Sequence, residues 1–218
     1  MEKGTYQKKE DKDIIFGVRA VIEAIRAGRE LNKILILKGM DKELFMELKN
    51  ELKGKEFNLQ FVPIQKLDRL TSSNHQGVIA YASAVEYHSI EEIVDEKLAA
   101  GEKVNVLVLD RITDVRNFGG LARTAECLGI DAILIPSKGS ALATGDAVKT
   151  SAGALNRIPV CKTDDLKNTL FYLQQSGIRL IACTEKAKSK LYETNLRGSV
   201  AIILGSEENG ITQDLINM

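Results

Sequence analysis

The spacing of apolar residues along the first third of the chain predicts a small unit of mixed helices and strands. In GVRAVIEAIRAG the residues Val18, Val21, Ile22 and Ile25 recur at helical spacing, and Gly28 stands where a helix would end. The predicted strands are KILILK (33–38), NLQFVP (58–63) and GVIAYAS (77–83), and the other predicted helices are DKELFMELKNEL, with Asp41 as N-cap, and IQKLDRL. The pattern predicts a compact α/β domain over 14–84, preceded by a polar, mobile tail at 1–13.

The second part of the chain has the pattern of a buried parallel sheet. The predicted strands are VNVLVLD (104–110), AILIP (132–136), RIPV (157–160), IRLIAC (178–183) and VAIILG (200–205). Helical patterns lie between most of them, so 104–218 is predicted to be a doubly wound α/β domain with helices on both faces. The charged segment 85–103 is interpreted as a linker that runs into a helix, with Ser89 and Glu92 as a capping-box pair.

Composition and charge narrow the classes of partner. The chain has 218 residues, 44% hydrophobic and 28% charged, which is a globular composition. Lys+Arg and Asp+Glu are both 30, so a nucleic-acid partner requires a local basic patch. No apolar run is long enough for a membrane helix, and the polar N-terminus does not resemble a secretory signal. Three widely spaced cysteines predict a cytoplasmic protein without a disulfide framework.

Two loops at the predicted ligand end of the large sheet carry the candidate chemistry. Asn117, Gly120 and Arg123 are spaced three apart after the first large-domain strand, and we predict that they share one face of a helix start. Glu207 follows the last apolar strand. The alternatives are that Asn117 is an N-cap, that Arg123 is a solvated surface arginine, and that SEENG is only a polar turn.

Other site classes receive little support from the sequence. Gly119-Gly120 is not part of a G-x-G-x-x-G pattern, and the chain has no P-loop, no Ser-His-Asp set and no Cys-His set. His75 has no second histidine at ligand spacing, so no metal site is predicted. Lys149 lies in a segment that also fits a helix C-terminus with a glycine stop.

Two ordered motifs make the chain recognisable. NFGGLARTAECLG and ILGSEENGI resemble the first and second motifs of the SpoU/TrmH branch of the SPOUT methyltransferases, which are 2′-O-ribose methyltransferases of RNA. FGVRAVIEAI and NHQGV are similar to the L30e-like RNA-binding domain of that family. The resemblance covers residues 16–218, and it implies an L30e-like α/β domain followed by a SPOUT domain, which in the family contains a trefoil knot.

The resemblance implies methyl transfer from S-adenosylmethionine to a ribose 2′-hydroxyl, with a 23S rRNA guanosine as the expected substrate and a homodimer as the expected assembly. Arg123 would hold the ribose hydroxyl or a phosphate, because a guanidinium is a poor base. Asn117 would orient Arg123 or the ribose, and Glu207 would anchor Arg123 or Asn117. The expected cofactor-binding residues are Thr184, Leu204, Gly205, Gly210 and Ile211. The candidate RNA-binding residues are Arg19, Lys66, Arg69, His75, Gln76, Arg111, Arg116 and Lys149.

One family feature lies beyond this sequence. The third motif, I-P-M-x-G-x-x-x-S-L-N followed by a long helix, would come just after residue 218. We therefore expect this chain to leave the knot incomplete and to carry about half of the cofactor pocket. Two rival functions follow from these observations: a catalytically incomplete RNA-binding protein of the same fold, and a nucleotide-binding protein that uses Gly119-Gly120.

Overall fold

The computed structural model describes residues 14–53, 57–187 and 189–218. The predicted mobile tail at 1–13 lies outside the described residues. Contacts within the chain separate two compact units that meet between Ser83 and Ala84, and each unit is described by itself.

The first unit is a four-stranded sheet with three helices. Its elements are β1 (Ile14–Phe16), α1 (Val18–Arg26), β2 (Leu31–Leu37), α2 (Lys42–Leu52), β3 (Leu59–Val62), α3 (Ile64–Asp68) and β4 (Val78–Ala82). The strand order is β1-β4-β2-β3, in which β2 and β3 are parallel and the other pairs are antiparallel. Asp41 caps α2 as predicted, since its carboxylate accepts hydrogen bonds from the amides of Glu43 and Leu44. β1 was not predicted, because its three residues are too few to show a period.

The two faces of this sheet are covered unequally. The predicted apolar face of α1 is fully buried and packs with α2 against one side, where Ile34 and Ile36 belong to the same cluster. On the other side the short helix α3 contributes Leu67 to a smaller cluster with Leu35, Val62 and Ile79. Because α3 is only five residues long, it covers one end of this face.

The second unit confirms the predicted doubly wound α/β fold. Its strands are β5 (Tyr87–His88), β6 (Asn105–Asp110), β7 (Ala132–Pro136), β8 (Val160–Thr163), β9 (Arg179–Cys183) and β10 (Val200–Gly205). Its helices are α4 (Ile90–Ala99), α5 (Val115–Cys127), α6 (Gly145–Thr150), α7 (Leu166–Gln175) and α8 (Gln213–Ile216). All six strands run parallel in the order β5-β8-β7-β6-β10-β9. Residues of α4, α7 and α8 are buried on one face, and residues of α5 and α6 on the other.

Two boundary predictions are wrong. Segment 85–103 is not a linker, because Tyr87–His88 pairs with β8, and Ile90 and Val94 of α4 are buried in the core. One half of the predicted capping-box pair forms, with Ser89 Oγ accepting from the amide of Glu92 at the start of α4. The strand predicted over 157–160 begins only at Val160, because a 3-10 turn (Ala154–Asn156) occupies the chain just before it.

Adjacent glycines in α5 have opposite environments, and this gives a stability prediction. A Cβ at Gly119 would lie 2.7 Å from Thr150 Cβ and 2.9 Å from the Ala147 carbonyl oxygen, whereas a Cβ at Gly120 would meet nothing within 4 Å. We expect Gly119→Ala to lower the free energy of unfolding by about 1–3 kcal/mol, because α5 and α6 must separate. Gly120→Ala should raise it by roughly 0.5–1 kcal/mol through helix propensity. Equal urea midpoints for the two variants would contradict this packing.

Candidate functional site

Two loops meet where β6 and β10 end. Gly205 pairs in register with Asp110, so residues 111–114 and 206–210 leave the sheet side by side. Helix α5 follows the first loop, and its N-cap is Asp114, which accepts hydrogen bonds from the amides of Arg116 and Asn117. Parallel sheets place ligands at this edge.

The side chains of Asn117 and Glu207 are in direct contact. Asn117 Nδ2 donates to Glu207 Oε1 at 2.9 Å, although the two residues belong to different loop–helix connections. Asn117 is not the N-cap of α5, because Asp114 takes that position. Its amide side chain is therefore available for the contact that joins the two motif segments.

Arg123 does not join this pair. Successive residues of an α-helix turn by about 100°, so six residues place Arg123 about 120° around the helix from Asn117. Thr124 lies only about 20° from Asn117 and lines the same cavity, together with Gly120 and Leu121. Arg123 is exposed, and within the described residues it has no hydrogen-bond or ion-pair partner. The predicted common face of Asn117, Gly120 and Arg123 is thus wrong for Arg123.

A network of polar contacts fixes the loop that carries Glu207. Asp110 is 4% exposed, and its Oδ2 accepts from the backbone amide and the hydroxyl of Thr212, both at 2.6 Å. Arg111 adopts a positive φ of 58° and donates from Nη2 to the Gly210 carbonyl at 3.2 Å. These contacts fasten the C-terminal end of the loop to the end of β6, and the pairing of Gly205 with Asp110 holds the other end.

The same loop is closed on itself and packed against Gly205. The amide of Gly210 donates to the Ser206 carbonyl at 2.8 Å, and the amide of Asn209 donates to Ser206 Oγ at 3.1 Å. A Cβ at Gly205 would overlap the backbone of Gly210 and Ile211. The turn that presents Glu207 thus requires glycine at the end of β10. Neither Asp110 nor Thr212 is among the sequence-predicted site residues, because their contact depends on how the chain folds.

Two cavities adjoin at the Asn117–Glu207 contact. The first has a volume of about 440 Å³ and a polar lining, and we call it the polar cavity. Its lining residues are Arg111, Ile112, Thr113, Asp114, Asn117, Gly139, Ser206, Glu207, Glu208 and Asn209. The second, which we call the apolar-walled cavity, has a volume of about 450 Å³. Its lining residues are Ile112, Arg116, Asn117, Gly120, Leu121, Thr124, Cys183, Leu204, Gly205 and Glu207.

The five expected cofactor residues do not lie in one place. Leu204 and Gly205 line the apolar-walled cavity, whereas Thr184 lines a neighbouring cavity of about 740 Å³ beside β9 that shares Cys183 with it. Ile211 is 5% exposed and packs in the core, because the chain turns inward after the loop. Gly210 lines neither cavity at the Asn117–Glu207 contact, and its backbone instead accepts the hydrogen bond from Arg111.

Two residues predicted to bind RNA are used by the fold of the first unit. His75 is 8% exposed, and Gly77 N donates to its Nδ1, so Nε2 carries the proton and donates to Asp68 at 3.0 Å. Gln76 Oε1 accepts from the amide of Val18 at 3.2 Å and so caps α1. Both ring nitrogens of His75 serve protein partners, and RNA contact at this residue stays a prediction.

The remaining predicted RNA-binding cations are exposed, except Arg111, which is half-buried in the loop network. Arg19, Lys66 and Arg69 lie in the first unit. Arg116 lines the apolar-walled cavity, and the Lys149 side chain is 84% exposed with Asp146 at 3.9 Å. The structure therefore leaves these five side chains accessible to a ligand.

Other site chemistry is limited within the described residues. They contain no group of three or more His, Cys, Asp or Glu placed to hold a metal ion. Burial raises the pKa of Cys161 to about 12 and also raises that of Cys183, so neither thiol is activated as a nucleophile. None of the described helices has the length and apolar character required to cross a bilayer.

Comparison with known families covers both units. Residues 104–218 match the SpoU rRNA Methylase family, and residues 14–88 match a domain described as RNA 2′-O ribose methyltransferase substrate binding. A TrmH family tRNA/rRNA methyltransferase of Staphylococcus aureus (strain COL) is 35% identical over 202 residues, which is 92% of this chain and 81% of that protein. A Staphylococcus epidermidis protein of the same description is 34% identical over 201 residues, 92% of this chain and 80% of its own length.

Solved structures share the fold at low sequence identity. The AdoMet-bound rRNA methyltransferase of Sinorhizobium meliloti aligns with a TM-score of 0.52 at 19% identity, over 94% of this chain and 74% of its own. The SpoU methyltransferase AviRb of Streptomyces viridochromogenes, in complex with AdoMet, aligns with a TM-score of 0.53 at 16% identity. The alignment covers 94% of this chain and 77% of that chain.

Proposed function

We propose that this chain, which belongs to the SpoU rRNA methylase family of RNA methyltransferases, transfers a methyl group from S-adenosylmethionine to a ribose 2′-hydroxyl of 23S rRNA, at a guanosine. The observation that carries the proposal is the Asn117–Glu207 contact, which forms a wall common to two cavities of similar size. A methyl donor and an acceptor hydroxyl require two adjoining sites with a shared boundary.

The apolar-walled cavity fits the cofactor. A volume of about 450 Å³ lies in the range of small-molecule sites, and its lining combines aliphatic side chains with a few polar groups. Leu121 and Leu204 would contact the apolar parts of the cofactor, and the bare backbone at Gly205 would allow close approach. When bound, S-adenosylmethionine supplies an electrophilic methyl group on a sulfonium, which needs little further activation.

The polar cavity would receive the ribose. Asp114, Glu207 and Glu208 place three carboxylates in its lining, and the guanidinium of Arg111 is already engaged by Gly210. Such a lining suits the hydrogen-bond donors of a sugar better than a phosphate. Asn117 occupies Glu207 Oε1, so Oε2 is the oxygen that would accept the 2′-hydroxyl proton.

Arg123 would bind the RNA rather than the Asn117–Glu207 pair. It is an exposed cation on the helix that lines the cofactor cavity, and a phosphate is a suitable partner for a guanidinium. We expect Arg123→Ala to lower kcat/KM for methyl transfer to RNA by about three- to tenfold, the loss of one phosphate contact, with S-adenosylmethionine affinity changed less than about twofold, since the side chain lines neither cavity. Arg123→Lys should restore part of the activity. Full turnover by Arg123→Ala in a methyl-transfer assay would refute this role.

The proposal includes a homodimer. The C-terminal end of α5 leaves Leu128 75% exposed, next to the exposed Thr124 and Cys127. An apolar side chain at the end of the helix that carries Asn117 is a suitable point of contact for a second copy. Sedimentation equilibrium of the wild type and of Leu128→Glu tests this arrangement: a dimer that Leu128→Glu weakens supports it. A wild-type monomer contradicts it. The predicted cytoplasmic location is retained as part of the proposal.

Calorimetry with S-adenosylmethionine, followed by a transfer assay with the methyl-labelled cofactor and 23S rRNA, tests the proposed function. We expect saturable binding and label in the RNA. RNA binding without cofactor binding would favour the rival function, a catalytically incomplete RNA-binding protein. Binding of a dinucleotide in place of S-adenosylmethionine would favour a nucleotide-binding protein.

A further inference from the structure

On one face of the sheet in the first unit, the short helix α3 packs over one end through Leu67. Leu35 and Ile79 lie under Leu67 of α3, but the next residues along the same face, Lys33 on β2 and Tyr81 on β4, lie two positions further from that helix. Residues two apart in a strand point to the same side of the sheet. Tyr81 still packs, half-buried, against the cluster under α3, and the half-buried Lys33 beside it brings a charge to this face.

Lys33, Tyr81 and two neighbours form a row across three strands. Lys33 and Tyr81 are direct antiparallel partners, so their Cβ atoms are about 5 Å apart. Gln60 of β3 pairs with Leu35 and shares the face of Lys33, and Lys66 Nζ donates to Gln60 Oε1 at 3.4 Å. We call this row of Tyr81, Lys33, Gln60 and Lys66 the open strip.

The charges of the open strip are not balanced by the chain itself. Neither Lys33 nor Lys66 has a carboxylate within 4 Å among the described residues, and Lys33 is half-buried. Burial, and then the neighbouring charge of Lys66, lowers the pKa of Lys33. Two cations that repel each other on a partly buried surface are unfavourable for folding, and a bound anion would relieve the repulsion.

We infer that the open strip is a binding site for single-stranded RNA, with a phosphodiester between Lys33 and Lys66 and a base stacked on Tyr81. This inference rests on the proposed function and names the surface by which the first unit engages its substrate. Unpaired bases stack on aromatic side chains, and neighbouring cations follow the backbone. The site differs from the one predicted around His75 and Gln76, whose side chains cap and brace the fold.

Salt-dependent binding of a fluorescein-labelled 12-nucleotide single-stranded RNA to the full chain tests the site. We expect Lys33→Gln/Lys66→Gln to weaken binding about tenfold at low salt and to reduce the slope of log affinity against log salt by about 1.4, because two phosphate contacts are lost. The matched control is Lys42→Gln/Lys49→Gln, which removes the same charge from exposed positions on α2, the helix that packs on the opposite face. The control should change affinity less than about twofold.

The stacking role of Tyr81 has a separate readout. Tyr81→Leu should weaken binding about 5- to 100-fold without changing the salt slope, whereas Tyr81→Phe should bind like the wild type because it keeps the ring. Thermal unfolding of every variant identifies any loss of folding, and Tyr81→Phe keeps the test valid if Tyr81→Leu is unstable.

Three results would overturn the site. The first is an equal loss of affinity in the two lysine pairs. The second is that Tyr81→Leu, in a folded protein, binds the RNA like the wild type. The third is that polyglutamate displaces the labelled RNA as effectively as unlabelled RNA does. That result would show that the open strip is a general anion patch or binds an acidic protein surface. The affinity of the same proteins for S-adenosylmethionine is measured by calorimetry. Normal cofactor binding with a failed RNA result refutes the open strip alone, while failure of cofactor binding in the wild type refutes the proposed function.

Discussion

Glu207→Gln is expected to lower kcat for methyl transfer by about 10²–10⁴, the usual contribution of a positioned general base. Glutamine keeps an oxygen that accepts the hydrogen bond from Asn117, so the 2.9 Å contact and the loop geometry can persist. What is lost is the second carboxylate oxygen as a proton acceptor. Cofactor affinity should change less than about threefold, because the substitution preserves size and shape.

Single-turnover transfer of labelled methyl groups to RNA, with calorimetry on the same samples, measures both quantities. Glu126→Gln is the matched control, because it also removes one carboxylate from the second unit. Glu126 forms an ion pair with Arg157 and lines neither cavity. A kcat for Glu207→Gln within about threefold of the wild type, with unchanged cofactor affinity, would show that Glu207 does not accept the proton.

Gly205→Ala is expected to disrupt the loop that carries Glu207. The added Cβ would overlap the carbonyl group of Gly210 and the amide nitrogen of Ile211, and both are backbone atoms that cannot rotate away. The loop is also fastened through Asp110 and Thr212, so a shift breaks the two hydrogen bonds that Thr212 donates. We expect the free energy of unfolding to fall by about 1–3 kcal/mol, and the dissociation constant for S-adenosylmethionine to rise at least about tenfold.

Denaturant unfolding and calorimetry measure the two effects of Gly205→Ala. Gly120→Ala serves as the stability control, because a Cβ there meets nothing within 4 Å. Wild-type stability and cofactor affinity in Gly205→Ala would mean that the close approach of Gly205 and Gly210 has no bearing on the site.

The architecture follows from the sequence where the apolar runs are continuous. The strands β6, β7, β9 and β10 are continuous apolar runs, and their bounds lie within one residue of the predicted ones. The helix predicted within 85–103 is present as α4, but the segment was not assigned to the second unit because β5 has only two residues and α4 exposes most of its charged side chains. A short edge strand and a mostly polar helix give weak periodic signals, although Ile90 and Val94 bury fully.

Only part of the candidate site could be predicted from the sequence. Asn117 and Glu207 were placed together because the carboxyl ends of parallel strands share one edge, and that rule needs no side-chain detail. Arg123 was misplaced because residues three apart in an α-helix differ by about 60° in direction around the axis. From Asn117 to Arg123 this difference accumulates twice, to about 120°, so Arg123 leaves the face that carries Asn117. The contacts of Asp110 with Thr212 and of His75 with Asp68 join residues whose pairing depends on how the chain folds.

The central claim is that this chain methylates a ribose oxygen of 23S rRNA at a guanosine. Its most direct test incubates the protein with S-adenosylmethionine and an unmodified 23S rRNA transcript, digests the RNA to nucleosides, and identifies the methylated product by mass spectrometry. We predict 2′-O-methylguanosine that forms only with the cofactor and at a rate at least about 100-fold lower with Glu207→Gln. A base-methylated nucleoside, or RNA binding with no methylated product, would contradict it.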